Sequence, residues 1–313
     1  MAGPLRPVPA LEHAAPGSRV VAAPMPSGFT LAALDLVFPA FCSICEGTLG
    51  AGRRDPLCGR CWGAITRLAA PWCHVCGASS PTAVTFDGPH RVEHGREGAA
   101  PTTGGVGPPS PGRSSESCDS GEWVTQPVVG AAPSRPCSTC TTDPPQYDYA
   151  RSAAVYEGAL REALHAFKFS GKRALARPLG DLAIEQCVAS LLEGIEAVIA
   201  VPLARERERE RGFNQAALLA QRIAKRLGVP TRPRWLARVR ATRPQSDLPA
   251  AERRVNVRGA FRASRAVAGR HVLVVDDVLT TGATLGECAR ELRGGGARCV
   301  GVLTVARVLH AAV

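Results

Sequence analysis

No uninterrupted apolar run in this 313-residue chain approaches the ~20 residues that a membrane helix needs. Residues 1–30, rich in Ala and Pro, lack the apolar stretch behind a basic start that marks a secretory leader, so a disordered tail and a cytoplasmic location are expected, with no membrane insertion. Aromatics are scarce at 5% of the chain, too few for a platform on which successive bases of a single strand would stack. No helix pair reads as a DNA-reading helix-turn-helix, which argues against a transcription regulator. The acidic side chains are short in one half only: residues 1–150 carry 10 basic and 12 acidic groups, and residues 151–313 carry 28 and 15. A field of that sign suits a polyphosphorylated small molecule or a nucleic acid backbone, set against the plain alternative of an Arg-rich solvated surface. Length and 45% hydrophobic content predict two domains with at least one sizeable core.

Cysteine is not short. Twelve in a reducing compartment make a poor disulfide framework, and eight fall in Cys-x-x-Cys knuckles: Cys42/Cys45, Cys58/Cys61, Cys73/Cys76 and Cys137/Cys140. Two sulfurs at that spacing reach one ion, and a second knuckle completes a four-coordinate zinc shell with no position open for chemistry. Two structural Zn2+ sites are therefore expected, in a module spanning 31–78 and 136–143. Consecutive pairing is simplest, while a cross-braced pairing of the first knuckle with the third stays open. A redox dithiol would explain one knuckle but not four in tandem. Residues 79–135, full of Gly, Pro, Ser and Thr, read as a disordered insertion that puts the second site in question. Loop-closure entropy grows only logarithmically, so the separation need not prevent binding. Cys187, Cys288 and Cys299 stand among apolar neighbours and read as core.

From residue 147 onward helical and strand periods alternate. Helices are expected at 159–169, 176–192 and 214–227, and strands at 196–203, 234–239, near 259–262, in the run from Val272, and at 298–306. Residues 240–258 read as a long mobile loop. The pattern predicts a mostly parallel, doubly wound α/β sheet over 147–313.

The run Val272 to Thr284 (VLVVDDVLTTGAT) carries the most chemistry. It reads as a buried strand that stops at Asp276 and Asp277, a turn, and a helix from Ala283 to Leu292. The carboxyl ends of such strands face the ligand crevice. Thr280, Thr281, Gly282, Ala283 and Thr284 offer hydroxyls and free backbone N–H groups at a helix N-terminus, whose dipole favours an anion. Carboxylates repel phosphate but accept hydrogen bonds from vicinal hydroxyls, and a ribose 5-phosphate has both groups. A plain helix cap would explain the threonines but not the acidic pair. A second stretch, Val201 to Gln215 (VPLARERERERGFNQ), also follows a strand end. Its alternating Arg and Glu, Arg207 and Arg209 in particular, read as solvated surface.

The run from Val274 resembles the phosphoribosyl pyrophosphate (PRPP) loop of type I phosphoribosyltransferases. With the paired cysteines, the segment Phe167 to Gly171 (FKFSG), Val201 to Leu203 with Arg205, Arg211 to Gln215, and Gln245, Arg253 and Asn256, the chain resembles the ComF family, competence-associated proteins with a zinc ribbon and a phosphoribosyltransferase-like domain. The resemblance implies that Asp276 and Asp277 hold the ribose hydroxyls and stabilise the ring cation, that residues 280–284 hold the 5-phosphate, and that Mg2+ accompanies PRPP. It implies a pyrophosphate loop at Pro202, Leu203 and Arg205, with Arg211 and Lys168 balancing the leaving group, and a flexible hood over 243–256. Transfer to a nitrogen nucleophile would follow, in DNA uptake or nucleotide salvage. The rival reading is an accessory protein for DNA uptake that contacts single-stranded DNA or a partner helicase, its PRPP site regulatory or vestigial.

Overall fold

A computed structural model describes residues 40–49, 55–78, 136–242 and 249–309. The expected tail at 1–30, the insertion at 79–135 and Gln245 of the hood lie outside these residues.

The centre is a four-stranded parallel sheet in the order β1 (Tyr149–Val155), β6 (Cys299–Arg307), β5 (His271–Leu279) and β2 (Ala197–Ala200). Alternate residues of β5 enter two separate cores. Val272 and Val274 join Ile199, Val300 and Val302 on one face, and Leu273 and Val275 join Val198, Leu303 and Val305 on the other. Burial on both faces is the condition a parallel sheet imposes, and it explains the unbroken β-branched run. Two short helices, α1 (Gly59–Gly63) and α2 (Ser138–Thr142), start at the cysteine knuckles. Helices α3 (Gly158–Phe169), α4 (Ala176–Cys187) and α6 (Gln215–Leu227) contribute Leu160, Leu164, Phe167, Leu179, Leu219 and Ile223 to the second core. The first is covered by α8 (Ala283–Gly294) through Leu285, Cys288 and Leu292.

Helix α6 shows why the segmentation was readable. Asn214 accepts a hydrogen bond from Ala216 N at 3.0 Å, and Gly228 closes the helix at φ +69°.

Several expectations are corrected. The strand from Val272 does not stop at the acidic pair: its ladder with β6 continues through Asp276↔Thr304 to Leu279↔Arg307, because Asp277's charge meets a cation. Within 234–239 only β3 (Leu236–Arg238) is strand, and it pairs antiparallel with β4 (Phe261–Ala263) as a ribbon separate from the main sheet. The loop expected at 240–258 contains a helix, α7 (Ala250–Val257), beside α8. The alternating Arg/Glu stretch winds into α5 (Arg205–Arg211) and ends at Gly212 in the left-handed region. Strand β2 is shorter than the expected 196–203, and α4 gives way to a 3-10 turn at Val188–Ser190. Strand β1 had no sequence signal, since its small residues and Arg151 do not alternate, yet all seven positions are buried. Its free edge is covered by residues 66–68, where Leu68 N donates to Ala153 O at 3.0 Å and Val155 N to Thr66 O at 2.9 Å.

Among the described residues no helix is long and apolar enough to cross a membrane.

Candidate functional site

The candidate residues gather toward the carboxyl end of β5. Asp276 and Asp277 sit on consecutive strand residues, so their side chains diverge instead of leaving the strand end side by side. Asp277 is 3% exposed and its Oδ2 lies 2.6 Å from Lys168 Nζ. Its Oδ1 accepts from Val278 N at 3.0 Å. Burial opposes the charge on Lys168, but Asp277 beside it and Asp276 nearby raise its pKa overall. Asp276 is half-buried, and its Oδ1 accepts from Asp277 N at 2.9 Å. Desolvation first and the Asp277 charge second push its carboxyl well above the usual carboxylate range, with Lys168 only partly opposing.

Lys168 reaches this point because both neighbours are fixed. Phe167 is buried with its ring centroid 5.6 Å from that of Phe213, and Phe169 lies under the Arg211 guanidinium, 4.9 Å from its ring centroid. Arg211 donates to Gln215 Oε1 at 3.1 Å. Burial lowers its pKa, while Asp277 and Asp276 oppose that shift and Arg207 adds to it. Lys168, Arg211 and the acidic pair thus share one electrostatic neighbourhood.

Beyond Leu279, residues 280–282 form a bend into α8. Thr281 Oγ1 accepts from Ala283 N at 3.4 Å, and Gly282 takes φ +77°. A Cβ at Gly282 would lie 3.6 Å from Leu279 Cδ1 and 3.8 Å from the Tyr147 hydroxyl, so space would admit a side chain and it is the positive φ that favours glycine. The first-turn N–H groups of α8, including those of Ala283 and Thr284, point out of the helix end as any helix N-terminus must. Pro202 and Leu203 are half-buried between β2 and α5, beside β5 through Val201 N and Val275 O at 3.0 Å. Arg205 is brought no closer: its side chain is exposed on the first turn of α5.

Two contributors were not read from the sequence. Arg207, taken as surface, is half-buried and its charge acts on both Arg211 and Arg238. The available signal was its position one helical turn before Arg211. Arg238, over the Phe261 ring at 5.3 Å, lies in the field of Asp276. Nothing local marked it, because its place depends on the ribbon packing over α8.

The eight paired thiols form two tetrads, Cys42/Cys45/Cys58/Cys61 and Cys73/Cys76/Cys137/Cys140, each with all four sulfurs within 4.8 Å. Pairing is consecutive, and the second tetrad closes across the long insertion. Burial pushes the Cys42 thiol up, but N–H donors from Cys45, Cys58 and Ile44 bring it down to about 6. Cys73 is likewise lowered to about 6, against burial, by Cys76, Cys137 and Val75. Cys61 and Cys140 are raised by burial and by their sister thiols. Four close sulfurs, some held as thiolates and some unable to ionise beside them, fit a tetrahedral divalent ion that removes the conflict, and the donor set is that of structural zinc.

Residues 214–312 match the sequence model of the phosphoribosyl transferase domain family, and residues 33–91 that of the double zinc ribbon domain. The DNA utilization protein YhgH of Salmonella typhimurium is 36% identical over 186 residues, covering 58% of this chain and 82% of the relative. Competence protein F of Haemophilus influenzae is 36% identical over 180 residues, covering 55% and 78%. Among solved structures, the glutamine phosphoribosylpyrophosphate amidotransferase from B. subtilis complexed with ADP and GMP overlaps 41% of this chain and 25% of that one, at 24% identity and a TM-score of 0.29, too slight to carry an argument.

Proposed function

Because the chain belongs to the ComF family, whose members named above are DNA utilization and competence proteins, we propose that its crevice binds PRPP with Mg2+ and transfers phosphoribosyl to a nitrogen nucleophile in support of DNA uptake or nucleotide salvage. The observation that carries this reading is the convergence of Lys168 and Arg211 on an acidic pair one turn from a helix N-terminus. Residues 280–284 would hold the 5-phosphate through N–H groups and hydroxyls. Asp276 and Asp277 would accept hydrogen bonds from the 2- and 3-hydroxyls. When bound, Mg2+ would neutralise charge on the pyrophosphate, and a half-buried carboxyl such as Asp276 gains most from a nearby cation.

In the reaction the C1–O bond breaks and its electron pair leaves with pyrophosphate. The nucleophile's lone pair forms the new C–N bond, and its proton departs to solvent. Positive charge develops on the ring between those events, where anionic Asp276 and Asp277 stabilise it. Lys168 and Arg211, beside the acidic pair, would balance the leaving group's charge, with Arg207 in the same field. Pro202 and Leu203 shape the turn along which the pyrophosphate lies, and the exposed Arg205 would have to swing in to reach it.

Calorimetric titration of the full chain with PRPP plus Mg2+, and separately with ribose 5-phosphate, tests the reading. Both should bind. Failure of PRPP to bind would overturn it.

A second reading draws on the β3–β4 ribbon, where Arg234, Arg240, Arg258, Arg262 and Arg265 are exposed. That density of cations suits a single-stranded DNA backbone, with the PRPP site regulatory. Anisotropy with labelled single-stranded DNA should then show affinity that falls steeply with salt, and Arg262→Glu should weaken it while PRPP binding stays unchanged.

A further inference from the structure

The second cysteine tetrad does not sit on the fold as a separate module. It abuts the sheet at two places. Near the start of β1, Ala150 N donates to Val75 O at 2.6 Å, and Arg151 Nη1 donates to His74 O at 3.0 Å inside the Cys73–Cys76 knuckle. At the other end of the sheet, the Arg307 guanidinium donates to Cys76 O through Nη1 and approaches Cys76 Sγ at 3.6 Å through Nη2. Arg307 is the last residue of β6. It is in register with Leu279, the last residue of β5, and Val308 N donates to Leu279 O at 3.0 Å. Leu279 leads directly into Thr280. Arg307 therefore reaches a tetrad sulfur with its side chain while lying in register with the root of the proposed phosphate loop, which its neighbour Val308 bonds.

Tyr147 supplies a second link. It is 6% exposed, a Cβ added at Gly282 would lie 3.8 Å from its hydroxyl, and Arg307, Cys76, Cys140 and Cys73 all lie within electrostatic reach of it. A tetrathiolate zinc centre keeps a net negative charge, which attracts guanidinium groups and fixes where they point. Arg151 fits the same picture: it is 7% exposed, its Nε has no hydrogen-bond partner, and burial lowers its pKa against the opposing pull of Cys187, Tyr149, Cys73 and Cys76. The first tetrad is placed differently, with Cys42 and Cys61 packed into the core that holds Leu160 and Leu164 of α3.

We propose that Arg307 and Tyr147 are positioning residues that brace the phosphate loop against the second cysteine tetrad, so that metal at that tetrad sets the order of residues 280–286. The proposal rests on residues 280–284 being the phosphate loop, and the brace can be read without any ligand. A metal centre in the ribbon would then act at the ribose 5-phosphate end of the site.

The test is hydrogen–deuterium exchange on the full chain, followed over the peptide that covers residues 279–286. Cys140→Ser, which opens the second tetrad, should speed exchange there by about tenfold, and Cys45→Ser, which opens the first, should change it by less than about twofold. Arg307→Met should reproduce the faster exchange while metal analysis still finds the zinc content of the parent protein, and Arg307→Lys should restore part of the protection. Equal effects of Cys140→Ser and Cys45→Ser would reduce the link to general destabilisation and overturn the brace. Should Cys140→Ser fail to fold, Arg307→Met decides alone: unchanged exchange at 279–286 overturns the proposal. A parallel titration with ribose 5-phosphate separates the two ideas. If the parent protein fails to bind it, the PRPP reading falls, whereas the exchange contrast judges the brace by itself.

Discussion

Asp276 and Asp277 differ in what ligand-free protein does with them. Asp277 is tied to Lys168, so Lys168→Met would leave a buried carboxylate without its cation and should cost on the order of 3 kcal/mol in a urea melt. Asp276 has no such tie, and its pKa is raised by burial and by Asp277. The folded protein therefore keeps this proton to higher pH than the unfolded chain. Its contribution favours folding below the unfolded-state carboxylate pKa of about 3.9 and is lost as pH rises through the folded-state value. Asp276→Asn should accordingly raise the melting temperature of the ligand-free protein at neutral pH and change it little at low pH, as thermal melts at two pH values would show. Binding has the opposite sign, since the anion accepts from ribose hydroxyls, and PRPP should bind more tightly as pH climbs through the same titration. Replacing both residues with Asn should weaken PRPP by at least ~1 kcal/mol in calorimetry, and any transferase rate should fall further, because the ring cation exists only in the transition state. Unchanged affinity in the double variant would remove the acidic pair from the site.

At the scale of elements, β5, the bend at 280–282 and α8 act as one unit. Thr281, proposed above to hold the 5-phosphate, also accepts from Ala283 N. Thr281→Val should weaken ribose 5-phosphate as well as PRPP by about 1 kcal/mol, as one titration series with both ligands would show. This unit was legible because its continuous β-branched core run and its Thr/Gly turn are local signals. Helices α3 and α6 were legible for the same reason, with apolar residues at helical spacing and Gly171 or Gly228 beyond the end. What could not be read depends on distant partners. The seven residues of β1 carry no alternation, because residues 66–68 and β6 bury them from both edges. Strands β3 and β4 looked like members of the main sheet, since a strand pattern does not say which sheet it joins. The acidic pair looked like a strand end because a carboxylate inside a ladder needs a cation opposite, and Lys168 is over a hundred residues away in sequence.

For the whole molecule, the two tetrads predict two zinc ions per chain in protein purified without chelator. Metal analysis near one would mean that one tetrad does not hold its ion, and a value near zero would contradict the structural role of both. Metal binding here is folding free energy, so Cys42→Ser should destabilise the N-terminal ribbon far more than Cys187→Ser, whose thiol is buried and joins neither tetrad. The architecture also has a consequence for chain continuity. Cys73 and Cys76 lie on one side of residues 79–135, and Cys137 and Cys140 on the other. The metal that closes this tetrad is a cross-link between two stretches of polypeptide that need not be joined. A protease site engineered between residues 79 and 135 should yield, after cleavage, two fragments that travel as one particle on a sizing column. Chelation should then loosen them into a pair held by the hydrogen bonds along β1 and by Leu57 and Ile65 in the shared core, a split protein with a metal for its latch.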